Sequence, residues 1–285
     1  TKVEGRLKDT KELTAYRNNL FQRELSEGTI NIYMRQAERL LAYLRQREVT
    51  ETAEITKEHI IAYKQYLLSF GQKKATVNLH IVAVNSYLKY AGREDCIIKT
   101  ERIQKNGCLE NILSREEYQR MLDYARESGH EKYYFIMKVL SFTGIRVSEL
   151  SFLTVEALCI GKFTVDNKGK TRAVYLPEGL AADLKDYCNA NAISFGVIFR
   201  GNRQRPISRN AVYQMLIHFA DMVGIDKEKA HPHSFRHLFA VTYMKQYADL
   251  TELADILGHS SLETTRIYTA TTVEERRRRL ESLDF

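Results

Sequence analysis

At 285 residues, with 44% hydrophobic and 28% charged residues and only 3 prolines, the chain can build one large core or two smaller ones and is not a disordered or low-complexity protein. A net charge of +7 favours a polyanionic partner, nucleic acid above all, over an acidic one. No apolar run approaches the roughly 18 residues that span a bilayer, and the polar opening from Thr1 to Asp9 has no secretory character.

The chain opens without methionine, consistent with further sequence upstream. The excess charge is uneven. Residues 1–110 hold 19 Lys and Arg against 14 Asp and Glu, and residues 111–285 hold 24 against 22, so the first part is the more cationic. Cys96, Cys108, Cys159 and Cys188 form no CxxC pair, which fits a reduced compartment and suggests neither a disulfide framework nor a zinc site.

The first hundred residues read as four helices. Leu13, Tyr16 and Leu20 keep helical spacing, as do Tyr33, Ala37, Leu40, Leu41 and Leu44. The third helix opens at Thr56 and stops at Gly71. The fourth is expected to be capped by Thr76, to bury Val77, Ile81, Val84 and Leu88, and to end at Gly92. This is a small helical bundle over about residues 1–98, followed by a polar linker, 99–111. Ser114 and Glu117 then form a capping box that starts a second domain, 112–285. There, helices run to Leu150. Two β-rich runs, Lys162 to Val165 and Arg172 to Leu176, flank the turn composition Asp-Asn-Lys-Gly-Lys, and more helices follow. No internal repeat occurs.

Six scattered side chains in the second domain form a set: Arg146 just after Gly144, Lys168 on the hairpin turn, His233 and Arg236 three apart on one helical face, His259 after Leu257-Gly258, and Tyr268 nine residues on. Splitting a phosphodiester without metal needs these parts. Two guanidiniums match the extra charge on the non-bridging oxygens. A phenol attacks phosphorus and retains it as an ester. A Lys protonates the leaving 5′ oxygen and a His takes the phenolic proton.

Each residue alone has a plainer role. One Tyr among 17 is ordinarily packing, an Arg after a helix-ending Gly is ordinarily solvated, and hairpin lysines serve solubility. His231, His233 and His237 might be read as metal ligands, but no Cys is close in sequence and Arg236 would repel a cation. The run Arg276 to Arg279 reads as the wet face of a terminal helix.

Thr143-Gly144-Ile145-Arg146-Val147-Ser148-Glu149-Leu150 resembles the first box of the tyrosine recombinases, or phage-type integrases. His233-x-x-Arg236-His237 and Leu257-Gly258-His259-Ser260 with Ile267-Tyr268 resemble the second, and Lys168-Gly169 the hairpin lysine. Leu25-Ser26-x-x-Thr29-Ile30-x-x-Tyr33 is similar to the start of the family's core-binding domain, so the likeness covers nearly the whole chain, nearest to Xer-like and bacterial mobile-element integrases.

The resemblance implies a mainly α fold with a small β-hairpin, arranged as a two-domain C-shaped clamp on duplex DNA. A core-binding, SAM-like domain (1–98) would precede a catalytic domain (112–285) with a tail helix, 272–285. It implies that Tyr268 forms a 3′-phosphotyrosyl bond, Arg146 and Arg236 clamp the phosphate, Lys168 protonates the 5′ oxygen, His233 is the general acid/base and His259 hydrogen-bonds the phosphate. Lys170 competes with Lys168. It further implies recombination through a Holliday junction by a tetramer, needing no cofactor, in the cytoplasm at the nucleoid. The tail helix would dock on a neighbouring protomer or on its own domain. Lys73, Lys74, Thr76, Asn78 and His80 at the fourth helix, with Lys170, Arg172, Arg200, Arg203 and Arg209, are the expected DNA contacts. Two other readings share these residues: a type IB topoisomerase, and an inactive DNA-binding accessory protein.

Overall fold

The computed structural model describes residues 10–103, 112–167, 170–259, 261–269 and 281–283. It divides into two compact units, Thr1–Lys105 and Asn106–Phe285.

The first unit is a four-helix bundle of α1 (Thr10–Gln22), α2 (Glu27–Arg45), α3 (Lys57–Ser69) and α4 (Lys74–Tyr90). Ser26 and Thr56 cap α2 and α3 by accepting from backbone N–H groups three residues on. The expected stripes meet in one core: Tyr16 and Leu20 pack with Ile30, Leu40 and Leu44, and with Val77, Ile81 and Leu88. Thr76 does not cap α4. The helix begins two residues earlier, with Lys73 at the cap and no side-chain cap bond, so Thr76 lies inside the first turn. The chain after α4 is also more firmly held than a polar linker suggests. Asn85 and Asn78 exchange paired backbone hydrogen bonds with Ile98 and Glu101, at 2.7–3.3 Å, and Lys64 pairs with Glu101 at 2.6 Å.

The second unit begins with the expected capping box, Ser114 and Glu117 bonding reciprocally at the start of α5 (Arg115–Glu127). Next come α6 (Glu131–Thr143), a 3-10 turn (Val147–Phe152) and α7 (Val155–Ile160). The two-stranded antiparallel sheet is β1 (Lys162–Asn167) with β2 (Lys170–Tyr175). The expected turn composition is therefore partly strand, because the ladder continues until Asn167 pairs with Lys170. Helices α8 (Glu178–Ala190), α9 (Arg209–Met222), α10 (Pro232–Tyr247), α11 (Leu250–Leu257) and α12 (Leu262–Thr265) follow, with a final 3-10 turn, Arg266–Thr269.

The main core runs through α5, α6, α8 and α9, and Phe235 joins it from α10. A smaller cluster of Ala240, Leu253, Leu257 and Tyr268 sits beside it. Gly144 ends α6 at φ 62°, and a Cβ there would lie 2.5 Å from Phe239 and 2.9 Å from Leu257. Only glycine allows both the left-handed backbone and that close approach. Its position turns the chain so that Arg146 faces α10 rather than continuing α6. The tail helix expected over 272–285 falls almost wholly outside the described residues. Among the described residues, no helix is long and apolar enough to cross a membrane.

Candidate active site

Arg146 caps the 3-10 turn after Gly144, with extended backbone (φ −76°, ψ 150°). Its backbone N–H donates to Glu149 at 2.8 Å and its guanidinium to the same carboxylate at 3.0 Å. Glu149 is 3% exposed and also accepts two bonds from Arg172 on β2, at 2.7 and 3.2 Å. Burial alone would raise the Glu149 carboxyl. The Arg172 guanidinium and the Arg146 N–H outweigh it and hold the group below its ordinary range. Arg172 further donates to the Ile256 carbonyl at 2.9 Å. A single carboxylate thus sets the direction of Arg146, and through Arg172 it is tied to the hairpin and the end of α11.

Arg236 is the largest fully buried side chain among the described residues, at 1% exposure. It donates to the carbonyls of Gly144 and Leu257, both at 2.6 Å, and to His259 Nε2 at 3.0 Å. These acceptors are neutral, and its Nε–H has no partner. Burial first, and then repulsion from Arg146, push it down to about 10, which leaves it charged near neutrality. A buried guanidinium that lacks a carboxylate is costly unless an anion can compensate it. Arg146 and Arg236 therefore form a receptor for a negatively charged group such as a phosphate.

Burial and the adjacent Arg236 hold His259 at about 4, so its ring is neutral. Because a guanidinium can only donate, Nε2 is the acceptor, and the proton on Nδ1 is donated to Thr265 Oγ1 at 2.8 Å. His231 caps α10 through its ring, accepting from the Ser234 backbone at 3.2 Å. One face of α10 then carries His233, Arg236 and His237. The His233 ring opens at the site's mouth but is lowered by the protein mass around it, and next by Arg236. A cleft of about 340 Å³ lies there, lined by Arg146, Ser148, Arg209, Tyr213, His231 and His233 among others.

Tyr268 is 6% exposed, packed against Ala240, Leu253 and Leu257. Burial raises its hydroxyl above the ordinary phenol value, while Arg236 and Arg146 act to lower it, so both cations are felt there. The hydroxyl lies 2.8 Å from His237 Nδ1. Sequence reasoning gave the phenolic proton to His233 and gave His237 no role beyond a place in the motif. The two rings touch edge to face at 4.6 Å, and the four-residue spacing was the signal that both occupy one helical face.

The arrangement brings Arg146, His233, Arg236, His259 and Tyr268 together. Lys168 lies outside the described residues, and of Lys170 only the backbone is described. Several expected DNA contacts are committed elsewhere. Asn78 spends its amide on Glu101, and His80 is buried at 8% exposure. Arg172 is locked to Glu149, and Arg200 is held within its own loop by Val197, Gln204 and Phe195. Lys73, Lys74, Thr76, Arg203 and Arg209 are exposed. Among the described residues, no group of three or more His, Cys, Asp or Glu is disposed to hold a metal ion.

Two arginines, a histidine array and a buried tyrosine thus gather at one site able to receive an anion. The chain belongs to the phage integrase family: residues 111–275 match the family's sequence profile and residues 13–95 match that of the phage integrase N-terminal SAM-like domain. It is a tyrosine-type site-specific recombinase. It is 29% identical over 274 residues to tyrosine recombinase XerD of Halalkalibacterium halodurans, covering 88% of this chain and 89% of the relative. It is 25% identical to tyrosine recombinase XerA of Thermococcus kodakarensis, over 84% and 86%. Among solved structures, a lambda integrase tetramer bound to a Holliday junction superposes with TM-score 0.73 at 22% identity, over 93% of this chain and 78% of that one. XerH bound to its difH substrate superposes with TM-score 0.69 at 21% identity, over 89% and 79%.

Proposed function

We propose that the chain recombines specific duplex DNA sites through a 3′-phosphotyrosyl intermediate formed on Tyr268. The observation that carries this reading is the buried Arg236 guanidinium, with an unpartnered Nε–H and no carboxylate of its own, beside Arg146 and within electrostatic reach of the Tyr268 hydroxyl. In the reaction, the Tyr268 oxygen attacks the scissile phosphorus, the phosphorus–O5′ bond breaks, and the 3′ phosphate stays on the protein. His233 takes the phenolic proton as the hydroxyl leaves its resting bond to His237, and Lys168, with Lys170 as its competitor, gives a proton to the leaving O5′. Attack by a 5′ hydroxyl from the partner site reverses these steps. One ester replaces another at each stage, so no nucleotide hydrolysis is needed, and the guanidiniums supply the charge compensation a metal would otherwise give.

The same reading has four protomers hold two sites and pass through a Holliday junction, with a core-binding domain (1–98) and a catalytic domain (112–285) each contributing DNA contacts. Lys73, Lys74 and Thr76 at the start of α4, with Arg209 beside the cleft, would contact backbone phosphates and make binding steeply salt-dependent. The tail helix 272–285 would dock on a neighbouring protomer.

A nicked suicide substrate, whose 5′ product diffuses away, tests the reaction by trapping the adduct. The parent protein should accumulate a covalent complex that resists EDTA, and Tyr268→Phe should form none while binding DNA with near-parent affinity. An adduct in Tyr268→Phe would show that another group is the nucleophile. Lys168→Ala should recover cleavage when the leaving oxygen is replaced by sulfur, which needs no proton. Recovery in Lys170→Ala instead would move the acid to Lys170.

A further inference from the structure

Among the described residues, the Tyr268 hydroxyl has one hydrogen-bond partner, His237 Nδ1, at 2.8 Å. The rest of the ring sits in hydrocarbon from Ala240, Leu253 and Leu257. Helix α10 supplies both features, since His237 and Ala240 are three residues apart and so share a face. The two rings lie 5.5 Å apart, tilted by 54°. An apolar seat fixes how deep a phenyl ring sits but leaves the direction of its hydroxyl undetermined. One polar atom at the end of the seat supplies that direction.

We infer that His237 is a positioning residue for the nucleophile: its Nδ1 accepts a hydrogen bond from the Tyr268 hydroxyl and seats the phenol beside the two guanidiniums before DNA arrives. The inference rests on Tyr268 being the nucleophile. For Nδ1 to accept, the His237 ring must be neutral with its proton on Nε2. Its surroundings enforce neutrality. The ring is largely buried, and the ionisable groups that act on it are His233 and His231 from the start of α10, Arg236 beside it and His259 after α11, with no carboxylate among them. Every one of these disfavours a second positive charge. The proton therefore stays on the phenol at rest, and His237 aims the hydroxyl without ionising it.

Three substitutions separate this role from simple packing. His237→Asn puts an amide where Nδ1 was, His237→Gln puts it nearer the Nε2 position, and His237→Ala removes it. Single-turnover adduct formation on the nicked substrate is measured for each, with DNA affinity measured in parallel. His237→Ala and His237→Gln should slow adduct formation by about 10- to 100-fold, the scale of losing one orienting contact, with affinity unchanged, and His237→Asn should recover most of the rate. A parent-like or faster rate in His237→Ala, or an Asn variant as slow as the Ala variant, overturns the inference.

Tyr268→Phe in the same assay keeps the two questions apart. An adduct there refutes the nucleophile itself, whereas its absence together with a parent-like His237→Ala refutes only the positioning role. Should the His237 variants fail to fold, nitrogen-15 histidine spectra of the intact protein still decide. The His237 Nδ1 signal should change in Tyr268→Phe, and an unchanged signal overturns the inference.

Discussion

Replacing Glu149 by glutamine keeps the size of the side chain and removes its charge. In the parent, four hydrogen bonds converge on this carboxylate, from the Arg146 backbone, the Arg146 guanidinium and twice from Arg172, at 2.7–3.2 Å. Glutamine retains one accepting oxygen and turns an NH₂ toward donors that can only donate. Arg172, with its side chain 12% exposed, and Arg146, at 31%, are then left as close like charges. Breaking a buried pair on one side costs about 3–5 kcal/mol. In a unit of this size, where 1 kcal/mol moves the melting temperature by about 2–4 °C, the loss is roughly 6–20 °C.

Thermal unfolding of Glu149→Gln against the parent reads this directly, and adduct formation on the nicked substrate reads the loss of Arg146's orientation. The paired change Glu149→Leu with Arg172→Met should recover much of the stability, since both charges leave together, but little of the activity, because Arg146 loses its anchor. A Glu149→Gln protein that melts within about 2 °C of the parent would refute the reasoning. The carboxylate would then be a bystander to the two arginines.

Two further outcomes follow from the geometry. Gly144→Ala should destabilise the second unit by about 1–2 kcal/mol from the left-handed backbone alone, and more from the 2.5 Å approach to Phe239. Because the Gly144 carbonyl holds Arg236, adduct formation should fall further than stability, which unfolding and trapping together would check. Acid should weaken the same unit before its carboxylates titrate. His237 and His259 are held at about 4 against an ordinary 6.5. Between these values the unfolded chain binds protons that the folded one refuses, so stability is full above about pH 6.5 and falls as pH drops toward about 4. At pH 5 the loss is roughly 2 kcal/mol for each ring. Urea unfolding at pH 7 and pH 5 measures it, and equal midpoints would contradict the placement of both rings.

Much of the scaffold was legible because its determinants are local. Ser114 with Glu117, Thr56, Gly71 and Gly92 each act within a few residues of themselves, and the apolar stripes of α2 and α4 need only a period. Thr76 misled because a capping residue two positions inside a helix looks the same in sequence as one at its start. The arginines, histidines and tyrosine of the site were legible as a set, since together they are the groups a metal-free phosphodiester cleavage would need. Their partners were not. Glu149 stood inside the first box, three residues from Arg146, so that pairing had a signal. Its bond to Arg172 joins residues 23 apart across a turn and a strand, which only the folded chain brings together. Asn78 and His80 carry residue types that suit DNA, but spacing alone does not reveal that the Asn78 amide bonds the Glu101 backbone or that the His80 ring lies buried in the bundle.

The Glu149–Arg172 pair also joins distant stretches of chain. Arg172 on β2 bonds the Glu149 carboxylate at one end and the Ile256 carbonyl at the other, three residues before His259. A displacement of β2 large enough to break these bonds removes two of the four donors on the carboxylate that orients Arg146. The short ribbon thus behaves as a lever on the arginine, and a disturbance at one strand is felt at a side chain 26 positions away in sequence.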